Sequence, residues 1–446
     1  MNTLLHSGAN LALFTDLYEL TMVQAYVADG TAETPATFSL FVRTLPKSRN
    51  YLLACGLGTV LDALTSLRFD AESLDYLRSL GKFTPAFLDW LKAFRFRGDI
   101  VAMAEGTPAF AGEPLLEVTG PLGQCQLVET LLINLMQLQT MLASKASRIV
   151  TAAQGRRVVD FGARRVHGID ASVHGARAFA IAGVSATSNM LAGKTLGLPV
   201  VGTMAHAYVQ SFAVEADAFR SFARTYPDTT LLVDTYDTLQ GVAKVIALAA
   251  ELGPAFRVQA IRLDSGDLVT LSRAARAMLD AAGLSAVRIF ASGGLDEDEI
   301  AALLQRGAPI DSFGVGTRMS VSEDAPALDV VYKLTALGGQ GRVKLSPGKN
   351  LLPGRKQVWR THDRDILGRA EEDLAGRPLL QPVLRGGERV APAQSIASIA
   401  AHAQSQLADL PERLHALAPA APPYRVDVSP ALTAYAQEVQ ATLRRP

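Results

Sequence analysis

Between residue 126 and about residue 330, short apolar runs alternate with stretches of helical periodicity. Six runs read as strands: 156–164 (RRVVDFGAR), 198–203 (LPVVGT), 229–235 (TTLLVDT), 257–266 (RVQAIRLDSG), 286–294 (AVRIFASGG) and 311–317 (DSFGVGT). Helical patterns fill the gaps at 206–224, 239–252, 268–281 and 296–305. Strands alternating with helices at this spacing predict parallel strands joined by crossover helices. The strands are nearly continuous apolar runs, as expected when both sheet faces are covered. Either a (β/α) barrel or a doubly wound sheet fits, and both place ligands at the C-terminal strand ends. With six strands, any barrel is incomplete or irregular.

The pattern differs on either side. Residues 15–30 predict a helix with Asp16 as N-cap, Glu19 three residues on, and Leu17, Leu20, Val23 and Val27 in one stripe. Residues 36–43 alternate like a strand, and 95–122 read as hairpins cut by Gly and Pro. The apolar stretch 127–142 is interrupted by Glu129, Asn134, Gln137 and Gln139, which makes it a buried helix and not a membrane span. Residues 331–360 predict two or three antiparallel strands, and the Ala-rich tail from about 395 reads as helical, broken by 417–425. The expected domains are 1–125, mixed α/β; 126–330, the strand–helix repeat; and 331–446, strands and helices.

Composition narrows the function. The 446 residues are 49% hydrophobic and 19% charged with zero formal net charge, which suits an enzyme with a large interior. No basic stripe or arm is present, so a nucleic-acid partner is not expected. Cys55 and Cys125 are the only cysteines, too few for a disulfide framework or zinc ribbon and in keeping with a reducing cytoplasm. The opening residues lack a basic region and reach Asp16 early, so they are not read as a secretory signal.

The strand ends carry the candidate chemistry. The last two finish in Ser292-Gly293-Gly294 and Gly314-Val315-Gly316-Thr317. Glycine lets backbone N–H groups approach phosphate oxygens, and a following helix start favours the anion. Asp234, Asp237, Asp264 and Asp267 suit either Mg²⁺, together with substrate phosphates, or helix capping. Arg262 lies on a strand just before the polar edge, where it needs an anion. That anion is a neighbouring aspartate or a substrate carboxylate or phosphate; Arg164 and Arg165 invite the same two readings. With Thr203 as N-cap, His206 falls at the third helical position, where the helix N-terminus favours a neutral, nucleophilic imidazole. Residues 189–195 lack the first glycine of a P-loop and precede a strand, and 55–61 is a turn into a helix more than a dinucleotide fingerprint.

Nine segments in order resemble the nicotinate phosphoribosyltransferase family, type II phosphoribosyltransferases of NAD salvage. They are TDLYELTMVQAY (15–26), DFGARR (160–165), ATSNMLAG (186–193), GLPVVGTMAHAYVQSF (197–212), LLVDTYDT (231–238), RLDSGDL (262–268), ASGGLDE (291–297), DSFGVGTRM (311–319) and KLSPGKNLLPGRKQVWR (344–360). The resemblance implies an irregular (β/α) barrel with a flanking mixed α/β domain built from both chain ends, and a homodimer. It implies that nicotinate and 5-phosphoribosyl 1-pyrophosphate form nicotinate mononucleotide and pyrophosphate, with Mg²⁺ and with ATP coupled through a phosphohistidine at His206. Tyr18 matches a residue that stacks near the pyridine ring, and Thr203 and Arg262 match nicotinate contacts. Thr317 matches a contact to the phosphoribosyl substrate, with Gly293, Gly294, Gly314 and Gly316 beside it. Asp264 joins the substrate-binding set, and Arg164 is favoured over Arg165 as the functional arginine. The rival expectations are a nicotinamide or quinolinate enzyme of the same class, or a non-catalytic sensor of a phosphorylated ligand.

Overall fold

The computed structural model describes residues 11–346 and 351–444. Most of the opening stretch read for a secretory signal (1–10), and residues 347–350 of the 344–360 motif, lie outside the described residues. The chain separates into two units, Met1–Ser144 with Ala325–Pro446, and Lys145–Asp324. The first division falls inside the helix Glu129–Ala152 and not near residue 126. No Gly or Pro interrupts that helix. Among the described residues no helix is long and apolar enough to cross a membrane.

The flanking unit takes strands from both ends of the chain. Pro35–Val42 pairs antiparallel with Val330–Leu337 on one side and Pro114–Pro121 on the other, in a seven-stranded sheet. With a neighbour at each edge, every residue of this strand after Pro35 is buried, instead of the expected alternation. Lys356–Arg360 belongs to a separate four-stranded sheet. The tail from 395 is not purely helical: Arg425–Val428 adds a parallel strand to Arg364–Arg369, between the helices Ile396–Ala408 and Pro430–Leu443.

The helix Leu17–Ala28 buries Leu20 and Val23 but leaves Leu17 exposed. Asp16 stands at its N-cap without bonding the helix N–H groups, because its carboxylate accepts the Thr130 hydroxyl at 2.8 Å.

The second unit is built on six parallel strands: β1 (Arg157–Asp160), β2 (Ala186–Thr187), β3 (Thr230–Leu232), β4 (Ala260–Leu263), β5 (Arg288–Ala291) and β6 (Ser312–Val315). Their order is β2-β1-β6-β5-β4-β3. The first strand therefore pairs with the last, and every consecutive pair is adjacent except β2 and β3. This is the cyclic order of a barrel left open at one seam, a curled half-barrel, and not the order of a doubly wound sheet.

The expected strand at 198–203 lies beside β2 but makes only an isolated bridge, Val200 to Thr187. Pro199 offers no N–H to a ladder. The two-residue β2 was not expected. Helices Thr238–Leu252, Leu268–Ala281 and Glu297–Gln305 lie close to their expected positions. The expected helix 206–224 is broken into His206–Gln210 and Glu215–Thr225.

Candidate functional site

Parallel strands bring all six C-terminal ends to one edge of the sheet. Arg262, the third residue of β4, is the hub there. Its Nε donates to Ser292 Oγ at 2.8 Å, and Nη1 donates to Thr203 Oγ1 at 2.8 Å and to the Met204 carbonyl at 3.3 Å. Nη2 donates to Asp264 Oδ1 at 2.6 Å. Ser292 in turn donates to Asp264 Oδ1 at 2.5 Å. The salt-bridge reading of Arg262 is thus realised, and one Nη2 hydrogen has no acceptor among the described residues. The guanidinium also lies 5.5 Å from the centroid of the Phe161 ring.

Thr203 does not cap a helix, because its hydroxyl is engaged by Arg262. The helix begins at His206 itself, after Ala205, and runs only five residues. His206 is therefore a first-position residue on a short helix, and not the third-position residue expected. Its ring is placed by neighbours. Nδ1 is 3.1 Å from Thr235 Oγ1, and Nε2 is 3.9 Å from Asp264 Oδ2.

The four aspartates divide by role. Asp237 and Asp267 cap helices, accepting from Gln240 N at 2.8 Å and Val269 N at 3.1 Å. Asp234 Oδ2 accepts from the Asp264 N–H at 2.9 Å and the Ser265 hydroxyl at 2.6 Å, which shapes the turn after β4. Only Asp264 faces the histidine. Burial pushes its carboxyl up, but the hydrogen bonds from Ser292 and Arg262 and the Arg262 charge outweigh this and hold it below the usual carboxylate value. No group of three or more His, Cys, Asp or Glu among the described residues is placed to hold a metal ion.

The glycine-rich ends of β5 and β6 are neighbours. Gly293 has φ +91°, and a Cβ there would sit 1.9 Å from the Asp264 carbonyl oxygen, so only glycine fits. Gly294 is exposed and has open space around it. Gly316 precedes Thr317, which starts a four-residue helix. The helix after Gly294 carries Glu297, Asp298 and Glu299 in its first turn. Those acids neutralise the positive end of the helix dipole, so this helix start is not itself suited to an anion. Arg318 ties the two loops together through Asp296 at 2.7 Å.

Family models for the nicotinate phosphoribosyltransferase N-terminal domain, the nicotinate phosphoribosyltransferase family and the nicotinate phosphoribosyltransferase C-terminal domain match residues 13–137, 156–360 and 369–435. A nicotinate phosphoribosyltransferase of Mycobacterium tuberculosis is 52% identical over 94% of this chain and 91% of its own length. The chain belongs to the nicotinate phosphoribosyltransferase family. A Bacillus subtilis nicotinate phosphoribosyltransferase is 43% identical over 79% of this chain and 73% of its own length. The crystal structure of human nicotinic acid phosphoribosyltransferase superposes with a TM-score of 0.84 at 30% identity, covering 96% of this chain and all of that one.

All six strands and the Arg262 network lie within the segment matched by the nicotinate phosphoribosyltransferase family model. Of the residues singled out in the sequence, Thr203, His206, Arg262 and Asp264 are joined by direct contacts. Gly293 packs on Asp264, while Gly316 and Thr317 follow the adjacent strand. Arg164 and Arg165 are both exposed in the turn after β1 and make no side-chain ion pair with any described residue. Tyr18 is in the flanking unit, exposed on its helix. Three participants, Phe161, Thr235 and Ser292, stand in the strand ends read from the sequence but were given no role there; their contacts to Arg262 and His206 become visible only in the fold.

Proposed function

We propose that this chain transfers the phosphoribosyl group of 5-phosphoribosyl 1-pyrophosphate to nicotinate, giving nicotinate mononucleotide and pyrophosphate. The observation that carries the reading is Arg262, held by Ser292, Asp264 and Thr203 over the Phe161 ring beside the glycine-rich strand ends. The remaining Nη2 hydrogen offers the nicotinate carboxylate a charge-assisted hydrogen bond, and the Thr203 hydroxyl adds one by turning from the Met204 carbonyl, to which it donates at 3.2 Å. An amide brings no charge to meet that cation, so the acid is preferred over nicotinamide. Phe161 presents an aromatic face for the pyridine. The ring nitrogen attacks C1 of the ribose as the C1–oxygen bond to pyrophosphate breaks, and both electrons of that bond leave with the pyrophosphate. The chain's contribution is alignment and electrostatics, with no protein acid or base required. Backbone N–H groups at Gly293, Gly294, Gly316 and Thr317 are suited to the substrate phosphates.

Among the described residues Asp234 Oδ1 is buried without a hydrogen-bond partner and Asp264 Oδ2 meets only His206, so these two carboxylates are the ones that would meet a Mg²⁺ carried in by the substrate. Mg²⁺ enters this reading only as the counter-ion that the pyrophosphate substrate carries. His206, 41% exposed at its side chain, is open to a phosphoryl donor. In the ATP-coupled step a ring nitrogen bonds to the γ-phosphorus, ADP leaves, and water later takes the phosphoryl group as phosphate. Thr235 and Asp264 fix the ring for this transfer. The exposed apolar residues Phe14, Leu17, Tyr18 and Met22 support a homodimer, and the buried Cys55 and Cys125, neither in a disulfide, suit a reducing cytoplasm.

Turnover of labelled nicotinate, with and without ATP, tests this in the wild type and His206→Ala. We expect ATP to stimulate the wild type and the variant to lose that stimulation while keeping slow basal turnover. Preference for nicotinamide would overturn the role given to Arg262. Undiminished stimulation in His206→Ala would overturn the phosphohistidine.

A further inference from the structure

The inside of the barrel is not filled. Arg157 and Val159 on β1, and Phe161 just after it, line a cavity of about 630 Å³, while Val158 between the first two is buried on the opposite face. Ala260 on β4, Arg288 and Phe290 on β5, and Ser312 on β6 line the same cavity, and Ile261, Ile289 and Phe313 are buried on the helix side. Strand alternation therefore puts Arg262 and Ser292 next in file after Ala260 and Phe290. The interior wall runs directly into the site. A closed (β/α) barrel fills this space with layers of bulky branched side chains. Here Ala260, Ser312 and Thr230 are small, and the space left is of small-molecule size.

The two ends of the cavity differ. Its inner end reaches Gly202, Thr203 and Phe161, the residues given above to the pyridine carboxylate. Its outer end lies at the N-terminal ends of the strands, where Arg157 and Arg288 are exposed. Two acids share that end, and both have partners. Asp228 pairs with Arg257, and Asp311 accepts the Ile289 N–H at 2.7 Å. Arg288 donates only to the neutral Gln259 side chain, at 3.3 Å, and Arg157 makes no side-chain hydrogen bond or ion pair with any described residue. The outer end thus carries two guanidinium groups that make no direct ion pair, against one carboxylate, Asp311, that has no cationic partner among the described residues, so it keeps a net positive charge, and the wall behind it is aromatic.

We propose that the barrel interior is a second doorway, through which the aromatic carboxylate substrate reaches its subsite while the sugar diphosphate occupies the opposite, C-terminal edge. This rests on the transferase reading above and deepens it. Arg157 and Arg288 attract the anion, Phe290 and Phe161 offer ring faces on the way, and Thr203 and Arg262 receive the carboxylate. The base can then bind and leave with the diphosphate in place, so addition of the two substrates is random in order.

The test compares the wild type with Ser312→Phe, which narrows the passage, and with the double variant Arg157→Glu/Arg288→Glu at exposed positions. Two quantities are measured: kcat/KM for each substrate, and the association rate of labelled nicotinate by rapid trapping with the diphosphate already bound. Ser312→Phe should lower kcat/KM for nicotinate at least tenfold and leave KM for the diphosphate within about twofold. The charge reversal should slow nicotinate association severalfold at low salt and approach the wild type at high salt. If Ser312→Phe fails to fold, the charge reversal alone decides. Unchanged nicotinate association in the folded variants would overturn the doorway. A wild type that binds nicotinate without turnover would overturn the transferase reading, leaving the doorway to be judged by association rates. A wild type that binds no nicotinate would overturn both.

Discussion

Two clusters in this chain are made of the same parts and behave differently. In the flanking unit, Glu117 accepts from Ser39 Oγ at 2.6 Å, from Lys356 Nζ at 3.0 Å and from the Lys356 backbone N–H at 2.9 Å. The Lys356 ammonium also donates to the Gly354 carbonyl at 2.7 Å and the Leu352 carbonyl at 3.4 Å. The two side chains are 1% and 4% exposed. At the barrel edge, Asp264, Arg262 and Ser292 repeat the combination of carboxylate, cation and hydroxyl, but Asp264 is 29% exposed and its Oδ2 meets only His206, at 3.9 Å. The sealed cluster has spent its bonding capacity holding Lys356–Arg360 to the strand Pro114–Pro121. The open one keeps a guanidinium hydrogen and a carboxylate oxygen in reserve. Leftover valence at an accessible edge, more than residue type, separates a binding cluster from a structural one.

The largest effect should come from the sealed side. Glu117→Ala leaves a buried, unpaired ammonium and should cost about 3–5 kcal/mol of stability. Denaturant unfolding would show the loss, while kcat/KM per folded molecule stays near the wild-type value. A large fall in kcat/KM with unchanged stability would erase the contrast.

Next comes Arg262→Lys. An ammonium cannot reach Ser292, Thr203 and Asp264 together and still meet a substrate carboxylate. Steady-state kinetics should show kcat/KM for nicotinate falling about 10- to 100-fold, the equivalent of one charge-assisted hydrogen bond. A shift of the melting temperature without that kinetic loss would make this cluster structural as well.

The smallest effect concerns acid. Asp264 has its folded value held below the ordinary 3.8, so its stabilising contribution is complete above that value and fades as pH falls through the lower folded one. Asp264→Asn should therefore flatten the stability profile below about pH 3.8 and leave its shape near neutrality unchanged. An unaltered acid limb in the variant would show that the Arg262 and Ser292 contacts do not stabilise the carboxylate.

Much of the barrel was legible because apolar runs and helical periods are local signals. The helices Thr238–Leu252 and Leu268–Ala281 lie within a residue of the expected ranges, since Asp237 and Asp267 mark their starts by capping. The histidine's setting was not legible. Whether Thr203 caps a helix or binds Arg262 depends on a residue 59 positions away. The same limit hid the roles of Phe161 and Ser292, which became partners of Arg262 only when β1, β6, β5 and β4 came side by side.

By itself, then, the sequence determined most strands and helices of the repeat, the glycines at the last strand ends and, through nine ordered motifs, the family. Tertiary structure decided between barrel and doubly wound sheet, since only pairing of β1 with β6 closes the cyclic order. It also decided which aspartates cap helices, which one faces His206, and that the barrel interior is left open. Local pattern records how a segment buries itself. It carries no record of which distant segment supplies the hydrogen-bond partner, and the site is made of such distant partners.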